Sequence, residues 1–432
     1  MIDKLINSIR VRLADPFWKN VATLFSGSAL AQALPILVFP LLTRIYSKEA
    51  LGFYFIYAAI GLITQIVASL QYHLAIVIPK SKHEANTLTE LSLWLVLFVS
   101  LVIFILIHLF FGFIAAHIEQ VAFIKFIYAI PLSTFFLGIF RVASYYLNRD
   151  KKYKEISVGK ITKSITFSVF QLGFGFLGYL SFGLIVGLII GQAMSAFYLL
   201  WKLFRDPEFK LAFDWKEMWL LAKRYKDMPF FNTAISLIVT FSNQLPIFFL
   251  SRYFNVGFSG DFGLANRVVS TPMEVVGTSV GQVFFQEAAD VVNQKGNLYQ
   301  LVKITYLRLF KIAVLPFALL LLLAPGMFSL FFGDTYLVSG QMTQLLVPWL
   351  FLNFLNSPVS YLFDVLNKQR FMTAFQTIYL LARVGGLFLG YYLTNNVLIT
   401  VGIFSAVGVV FNVFTIYYYL RISKTTNYQV YQ

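Results

Sequence analysis

Apolar residues in this chain run in long blocks with few polar interruptions, and the blocks follow one another from residue 18 to residue 420. Six fall at 18–43, 52–74, 88–112, 121–147, 161–179 and 182–202. Six more fall at 228–252, 262–288, 301–323, 345–366, 371–393 and 397–420. Crossing a hydrocarbon core of roughly 30 Å takes about 20 helical residues. The blocks are about that long, and their continuity excludes a barrel, whose strands alternate apolar and polar positions. The pattern predicts an all-α integral membrane protein with twelve transmembrane helices.

Composition agrees. Of the 432 residues 59% are hydrophobic and only 12% charged, more apolar surface than a water-soluble chain of this size can cover. The longest polar connection, 204–227, divides the chain into six-helix halves at 18–203 and 228–420. A basic amphipathic leader (1–17) precedes them and a short tail (421–432) follows. The leader has no small-residue cleavage site, so no removable signal peptide is expected. Two readings of 204–227 remain open: an amphipathic helix on the membrane surface carrying Trp215 and Trp219, or a solvated charged loop.

The net charge of +15 would suit a nucleic-acid partner, but the placement of the charges argues otherwise. With the N-terminus inside, 27 of the 34 Lys and Arg fall in cytoplasmic segments or in the block portions next to them (Lys19, Lys163, Lys202, Lys303, Arg308 and Lys311), and 4 fall on the external side, namely Arg44, Lys48, Lys125 and Arg252. That asymmetry is the positive-inside rule, and it predicts both termini in the cytoplasm. Basicity here marks topology, and no nucleic-acid partner is expected. There is no cysteine, which excludes disulfides and thiolate chemistry.

The halves look like copies of one another. Leu42-Thr43-Arg44 precedes Gly52-Phe53-Tyr54, and Leu250-Ser251-Arg252 precedes Gly260-Asp261-Phe262, at a constant offset of 208. Six helices return the chain to the same side, so the halves would be parallel repeats.

The stretch from Gln32 to Ala85 carries Pro35 and Pro40, Leu42-Thr43-Arg44-Ile45-Tyr46, Gly52-Phe53-Tyr54 and Leu74-Ala75-Ile76-Val77-Ile78-Pro79 before Glu84-Ala85. It resembles the start of the polysaccharide-transport (Wzx-type) flippases, members of the exporter superfamily that includes the MATE drug exporters and the lipid II flippase. Gly281-Gln282-Val283-Phe284-Phe285 is similar to that family too. Where the family pattern has a charged residue this chain has Tyr72-His73, so no carboxylate role carries over there. The resemblance implies a MATE-like fold in the bacterial cytoplasmic membrane. It implies transport, not catalysis: an oligosaccharide unit on a polyprenyl-pyrophosphate lipid, moved from the inner to the outer leaflet for O-antigen, capsule or exopolysaccharide synthesis. A glycan polymerase and chain-length proteins would be its pathway partners.

Polar residues inside the blocks support a cavity independently. Residues three, four and seven apart share a helix face. Asn353, Asn356, Ser360, Asp364 and Asn367 have that spacing, as do Arg267, Thr271, Glu274, Thr278 and Gln282. So do Asn232, Ser236, Thr240, Asn243 and Gln244; Thr134, Arg141, Tyr145 and Asn148; and Ser28 with Gln32. Each such group would cost several kcal/mol facing lipid. Interhelical hydrogen bonding accounts for any one of them, and a shared water-filled cavity accounts better for the set.

Arg383 lies mid-span, where a charge costs roughly 2.5–3.5 kcal/mol. Arg141 and Arg267 are near enough to helix ends that snorkelling is an alternative. All three intramembrane cations being Arg suits a pyrophosphate, because guanidinium offers a planar fork. Arg383, Arg267, Arg141, Gln32, Asn243, Gln244 and Asn356 are therefore the expected cargo contacts. No Gly-x-x-x-x-Gly-Lys-[Ser/Thr] loop occurs, so an ion gradient is the expected driving force. Glu274, Asp364 and His73 are the coupling candidates, a proton or sodium gradient replaces any cofactor, and no metal site is expected. A MATE-type exporter of small molecules remains open, as does a polytopic glycan polymerase or ligase, although the external connections are short and poor in acids and bases.

Overall fold

The computed structural model describes residues 16–117, 124, 126–294, 296–366 and 369–425. The predicted leader lies outside the described residues almost entirely, as does most of the tail. Among the described residues twelve helices of 20 residues or more carry the architecture: α1 (Pro16–Ile45), α2 (Lys48–Ala68), α3 (Lys82–Leu109), α4 (Ile130–Arg149), α5 (Tyr153–Phe176), α6 (Leu180–Phe204), α7 (Thr233–Tyr253), α8 (Val256–Asn293), α9 (Leu298–Phe332), α10 (Leu337–Val359), α11 (Gln369–Thr394) and α12 (Val397–Thr425). Among the described residues nine helices are long and apolar enough to cross a membrane. The exceptions are α5, α8 and α10. Two of them, α8 and α10, build the cavity described below.

The packing separates two compact units, 1–241 and 242–432, with the division inside α7. In the first, α5 packs on α1 and α6, and α4 packs on α2, α3 and α6. Gly187 makes the α5–α6 approach possible, because a Cβ there would lie 2.9 Å from the Gln171 backbone nitrogen. Gln171 then ties α5 to α6 and to the α1–α2 connection: its side-chain amide donates to Leu184 O at 2.9 Å, and its backbone carbonyl accepts from the Tyr46 hydroxyl at 2.6 Å. In the second unit α10 packs on α8, α9 and α12, and α11 packs on α12. Gly340 is its tight point, since a Cβ there would sit 2.5 Å from Pro325 Cα. Ser339 beside it donates to the buried carboxylate of Asp261 at 2.6 Å.

The repeat is visible in backbone detail. Helix α1 ends at Ile45 and α7 at Tyr253; α2 begins at Lys48 and α8 at Val256, both pairs 208 apart. The caps match as well. Ser47 Oγ accepts from the Ala50 amide at 3.2 Å, and Asn255 Oδ1 accepts from the Phe258 amide at 3.0 Å, each the first-turn bond that ends an exposed run of N–H donors.

Two predicted spans break earlier than expected. The block at 52–74 stops as helix at Ala68, because Leu70 and Gln71 take left-handed backbone angles (φ 47° and 60°) before a short 3₁₀ segment, Tyr72–Val77. The block at 345–366 stops at Val359, one residue after Pro358, and a separate short helix, Leu362–Val365, follows. The stripe running from Asn353 to Asn367 is therefore not one helical face. The polar connection 204–227 contains a helix, Trp215–Arg224, capped by Asp214. Lipid-facing surface is plain on α9, where Leu315, Leu322 and Leu330 are exposed, and on α3 at Phe98, Leu101 and Ile105.

Candidate functional site

The second unit encloses a cavity of about 150 Å³ lined from α7, α8 and α10. Asn243 and Gln244 of α7, Asn266, Ser270 and Glu274 of α8, and Asn353 and Ser357 of α10 supply its polar wall. Trp349, Met273, Leu350 and Phe354 supply the apolar part. Helical spacing explains the α8 face: Asn266, Ser270 and Glu274 follow at intervals of four, and the Ser270 hydroxyl donates to Asn266 Oδ1 at 2.9 Å. Asn353 and Ser357, also four apart, keep accessible side chains on the otherwise buried end of α10.

Of the expected cargo contacts Asn243 and Gln244 line this cavity, together with the coupling candidate Glu274. Asn356 does not. Its Oδ1 accepts from the Tyr306 hydroxyl at 2.8 Å, and its amide donates to Asn412 O and Oδ1 at 3.0 and 2.9 Å, so it joins α9, α10 and α12. Thr271 and Thr278, expected on the polar face of α8, return their hydroxyls to backbone carbonyls of their own helix. Asn266 and Ser270 were missed by one position. Their spacing to Glu274 was present in the sequence, but the Arg267 stripe beside it looked stronger. Trp349 carried no signal at all.

Arg383 is placed differently from the expectation of an open cargo contact. It is 1% exposed. Its guanidinium carbon lies 4.2 Å from the Tyr379 ring centre, 4.3 Å from Trp349 and 4.7 Å from Phe404. Nη1 donates to Ser242 Oγ and Asn243 Oδ1, both at 3.0 Å. No carboxylate among the described residues is within ion-pair distance of it. Arg cannot shed its proton, so the charge persists, and ring quadrupoles and neutral acceptors must hold it. Since Trp349 and Asn243 both line the cavity, Arg383 stands behind its wall and braces it. Arg267, one residue past Asn266, is half-buried, with its Nε buried and free of hydrogen-bond partners.

In the first unit, His73 is buried in the 3₁₀ segment after the early end of α2, not within a span as expected. Its Nδ1 pairs with Ser69 Oγ at 2.6 Å, and its ring meets Tyr145 edge-on at 4.8 Å. Arg141, one turn before Tyr145 on α4, is in electrostatic contact with both. Gln32 is half-buried on α1 with its Oε1 buried and unpartnered. Lys160 corrects the view that the interior cations are all arginines: half-buried in α5, it donates to Ser28 of α1 at 2.8 Å. It escaped notice because it stands one residue before the apolar block. The Asp364 side chain and Asn367 lie outside the described residues.

A group of acids at the end of this unit, Asp150, Asp206 and Glu208, has metal-ligand spacing. It is neutralised by lysines instead. Lys152 binds Asp206 at 2.5 Å, and Lys82 binds Asp150 at 2.5 Å and Glu208 at 3.1 Å. Burial alone would raise the Asp206 carboxyl, but the bonds from Lys152 and the Glu208 amide outweigh it and hold the group below its usual range.

Residues 41–341 match the model of a family described as polysaccharide biosynthesis protein. No curated protein sequence matches the chain. Solved structures do, at low identity and nearly full length. The lipid II flippase MurJ in an inward closed conformation matches with a TM-score of 0.74 at 15% identity, over 93% of this chain and 87% of that one. A Vibrio cholerae MATE transporter gives 0.65 at 12%, over 97% and 98%. A transporter of the MOP superfamily from Pyrococcus furiosus, described as having a binding pocket of reversed polarity, gives 0.63 at 14%, over 94% and 97%. These fold relatives are transporters and flippases, not enzymes. With its long apolar helices and the match over most of its length, this chain is a multi-pass membrane protein that belongs to the polysaccharide biosynthesis protein family and has the fold of MOP-superfamily transporters.

Proposed function

We propose that the chain is a flippase for a lipid-linked saccharide. Its cargo is an oligosaccharide unit on polyprenyl pyrophosphate, moved from the inner to the outer leaflet of a bacterial cytoplasmic membrane by alternating access. The observation that carries the reading is the wall of the cavity in the second unit. Amides and hydroxyls of Asn243, Gln244, Asn266, Ser270, Asn353 and Ser357 offer paired donors and acceptors for sugar hydroxyls, beside the flat indole of Trp349. A cationic drug would call for more than the one carboxylate, Glu274, found there.

In this reading Arg267 is the second unit's candidate contact for the pyrophosphate, Arg141 and Gln32 are candidate cargo contacts of the first unit, and the caged Arg383 keeps the cavity wall in place. Glu274 couples transport to a proton or sodium gradient, with Asp364 and His73 as further coupling groups. The polymerase and chain-length proteins of the same pathway take over the product. Deletion of the gene should make its lipid-linked saccharide accumulate on the inner leaflet, and the intact gene should relieve that. Normal export of the saccharide in the deletion strain would refute the assignment.

A further inference from the structure

In sequence, the connection between the halves looks almost neutral. Residues 205–227 carry five acids and six bases. The structure sorts them. Asp206 and Glu208 are taken by Lys152 and Lys82, Glu84 of α3 pairs with Arg224 at 2.8 Å, and Glu217 pairs with His83 at 2.8 Å. Asp214 is spent on the amides of Lys216 and Glu217, capping the helix Trp215–Arg224. Lys210, Lys216, Lys223 and Lys226 have no carboxylate partner among the described residues, and all four are exposed. Asp227 is the one acid of 205–227 without such a partner among the described residues.

The same segment is fastened firmly to the first unit. The buried carboxylate of Glu90 accepts from the amides of Ala212 and Phe213 at 3.2 and 3.0 Å. The Asn86 amide donates to Glu208 O at 2.8 Å, and the Tyr72 hydroxyl donates to Ala222 O at 3.0 Å. Met218 and Leu221 are buried beneath the helix. Its other face carries large apolar side chains beside its lysines, unlike a helix surrounded by water. Trp215 and Trp219 are 63% and 65% exposed, and Leu220 is 56% exposed. Their depth is marked by α3: Trp94 lies 6.0 Å from the rings of both Phe213 and Trp215, and the exposed apolar stripe of α3 continues from it through Phe98, Leu101 and Ile105. The helix therefore starts where the lipid-facing stripe ends.

We propose that this helix lies in the headgroup layer and is a docking surface for anionic phospholipid. Trp215, Trp219 and Leu220 enter the interface, and Lys216, Lys223 and Lys226 hold headgroup phosphates. The Lys223 ammonium, 5.2 Å from the Trp219 ring, joins the two parts of the face. A basic side chain at such a surface favours acidic lipid, and pairing of the acids with the protein leaves the lysines free to do so. Because the segment is bound to the first unit, lipid charge acts on that unit directly.

The test uses the full chain in vesicles of phosphatidylcholine with spin-labelled phosphatidylglycerol or spin-labelled phosphatidylcholine as probe. The labelled phosphatidylglycerol should be enriched in the motion-restricted layer around the unchanged protein. The triple variant Lys216→Gln, Lys223→Gln, Lys226→Gln should lower that enrichment by at least about threefold. The triple Lys→Arg variant should keep it, which separates charge from folding. Fluorescence of the unchanged protein should be quenched more by lipids labelled near the headgroup than near the chain end, and this difference should shrink in Trp215→Phe. Equal restriction of the two probes by the unchanged protein overturns the proposal, as does enrichment that survives the glutamine variant. None of these readings depends on transport, so they stand or fall apart from the flippase assignment.

Discussion

The guanidinium of Arg383 lies 4.3 Å from the ring of Trp349, whose indole also forms part of the cavity wall. A buried cation thus shapes the cavity wall from behind, without lining the cavity itself. Cation–π contact is worth about 0.5–2 kcal/mol per well-placed ring, and three rings share this charge. Arg383→Lys keeps the charge but loses the flat group that the rings sandwich. Transport should fall by at least about tenfold in Arg383→Lys and further in Arg383→Ala. Complementation of a deletion strain at matched membrane levels measures it. If transport survives Arg383→Ala, the bracing role is wrong.

Among the described residues Glu274 is the one carboxylate on the cavity wall. Glu274→Gln preserves shape and most hydrogen bonding but removes a titratable site. Transport in reconstituted vesicles should lose its dependence on an imposed ion gradient, while cargo binding persists within about threefold. Unaltered gradient dependence in the glutamine variant would move the coupling role elsewhere.

Asp206 predicts a pH response of stability. Its carboxyl is held below the unfolded value of 3.8, so its contribution is fully present above that value and is lost as pH falls through the lower, folded value. The thermal midpoint in detergent should decline as the medium is acidified below that value, and Asp206→Asn should show a smaller decline. Lys152→Met removes the group that outweighs burial, so it should move the decline to higher pH.

The two repeat caps offer a stability test of the internal duplication. Ser47→Ala and Asn255→Ala should each cost about 1 kcal/mol, because each deletes the acceptor for one first-turn amide. They belong to separate units, so their effects should add within about 0.5 kcal/mol. Thermal unfolding of the two single variants and the double variant decides this.

The distribution of basic residues makes a topological prediction. Reporter fusions after Arg252 and after Asp334 should report the external side, and one after Lys154 the cytoplasmic side. A cytoplasmic signal after Arg252 would invert the arrangement.

By itself the sequence determines where the long helices lie, because the length and continuity of apolar runs are local properties that a bilayer reads directly. It also determines the repeat: the offset of 208 between Arg44 and Arg252 reappears in helix ends and caps. Tertiary structure alone decides which polar residues share a space. Asn266 and Arg267 are neighbours in sequence, yet only Asn266 lines the cavity, since facing depends on how α7 and α10 pack on α8. Asn356 has the same chemistry as Asn353, but its partners Tyr306 and Asn412 come from other helices, and no local pattern announces them. Helix ends at Ala68 and Val359 were hidden inside apolar blocks, because hydropathy does not register a left-handed turn at Leu70 and Gln71. The charge of the segment 205–227 is hidden for a related reason. Asp206, Glu208 and Glu217 are engaged by Lys152, Lys82 and His83, which lie far away along the chain and reach them only once the bundle has formed.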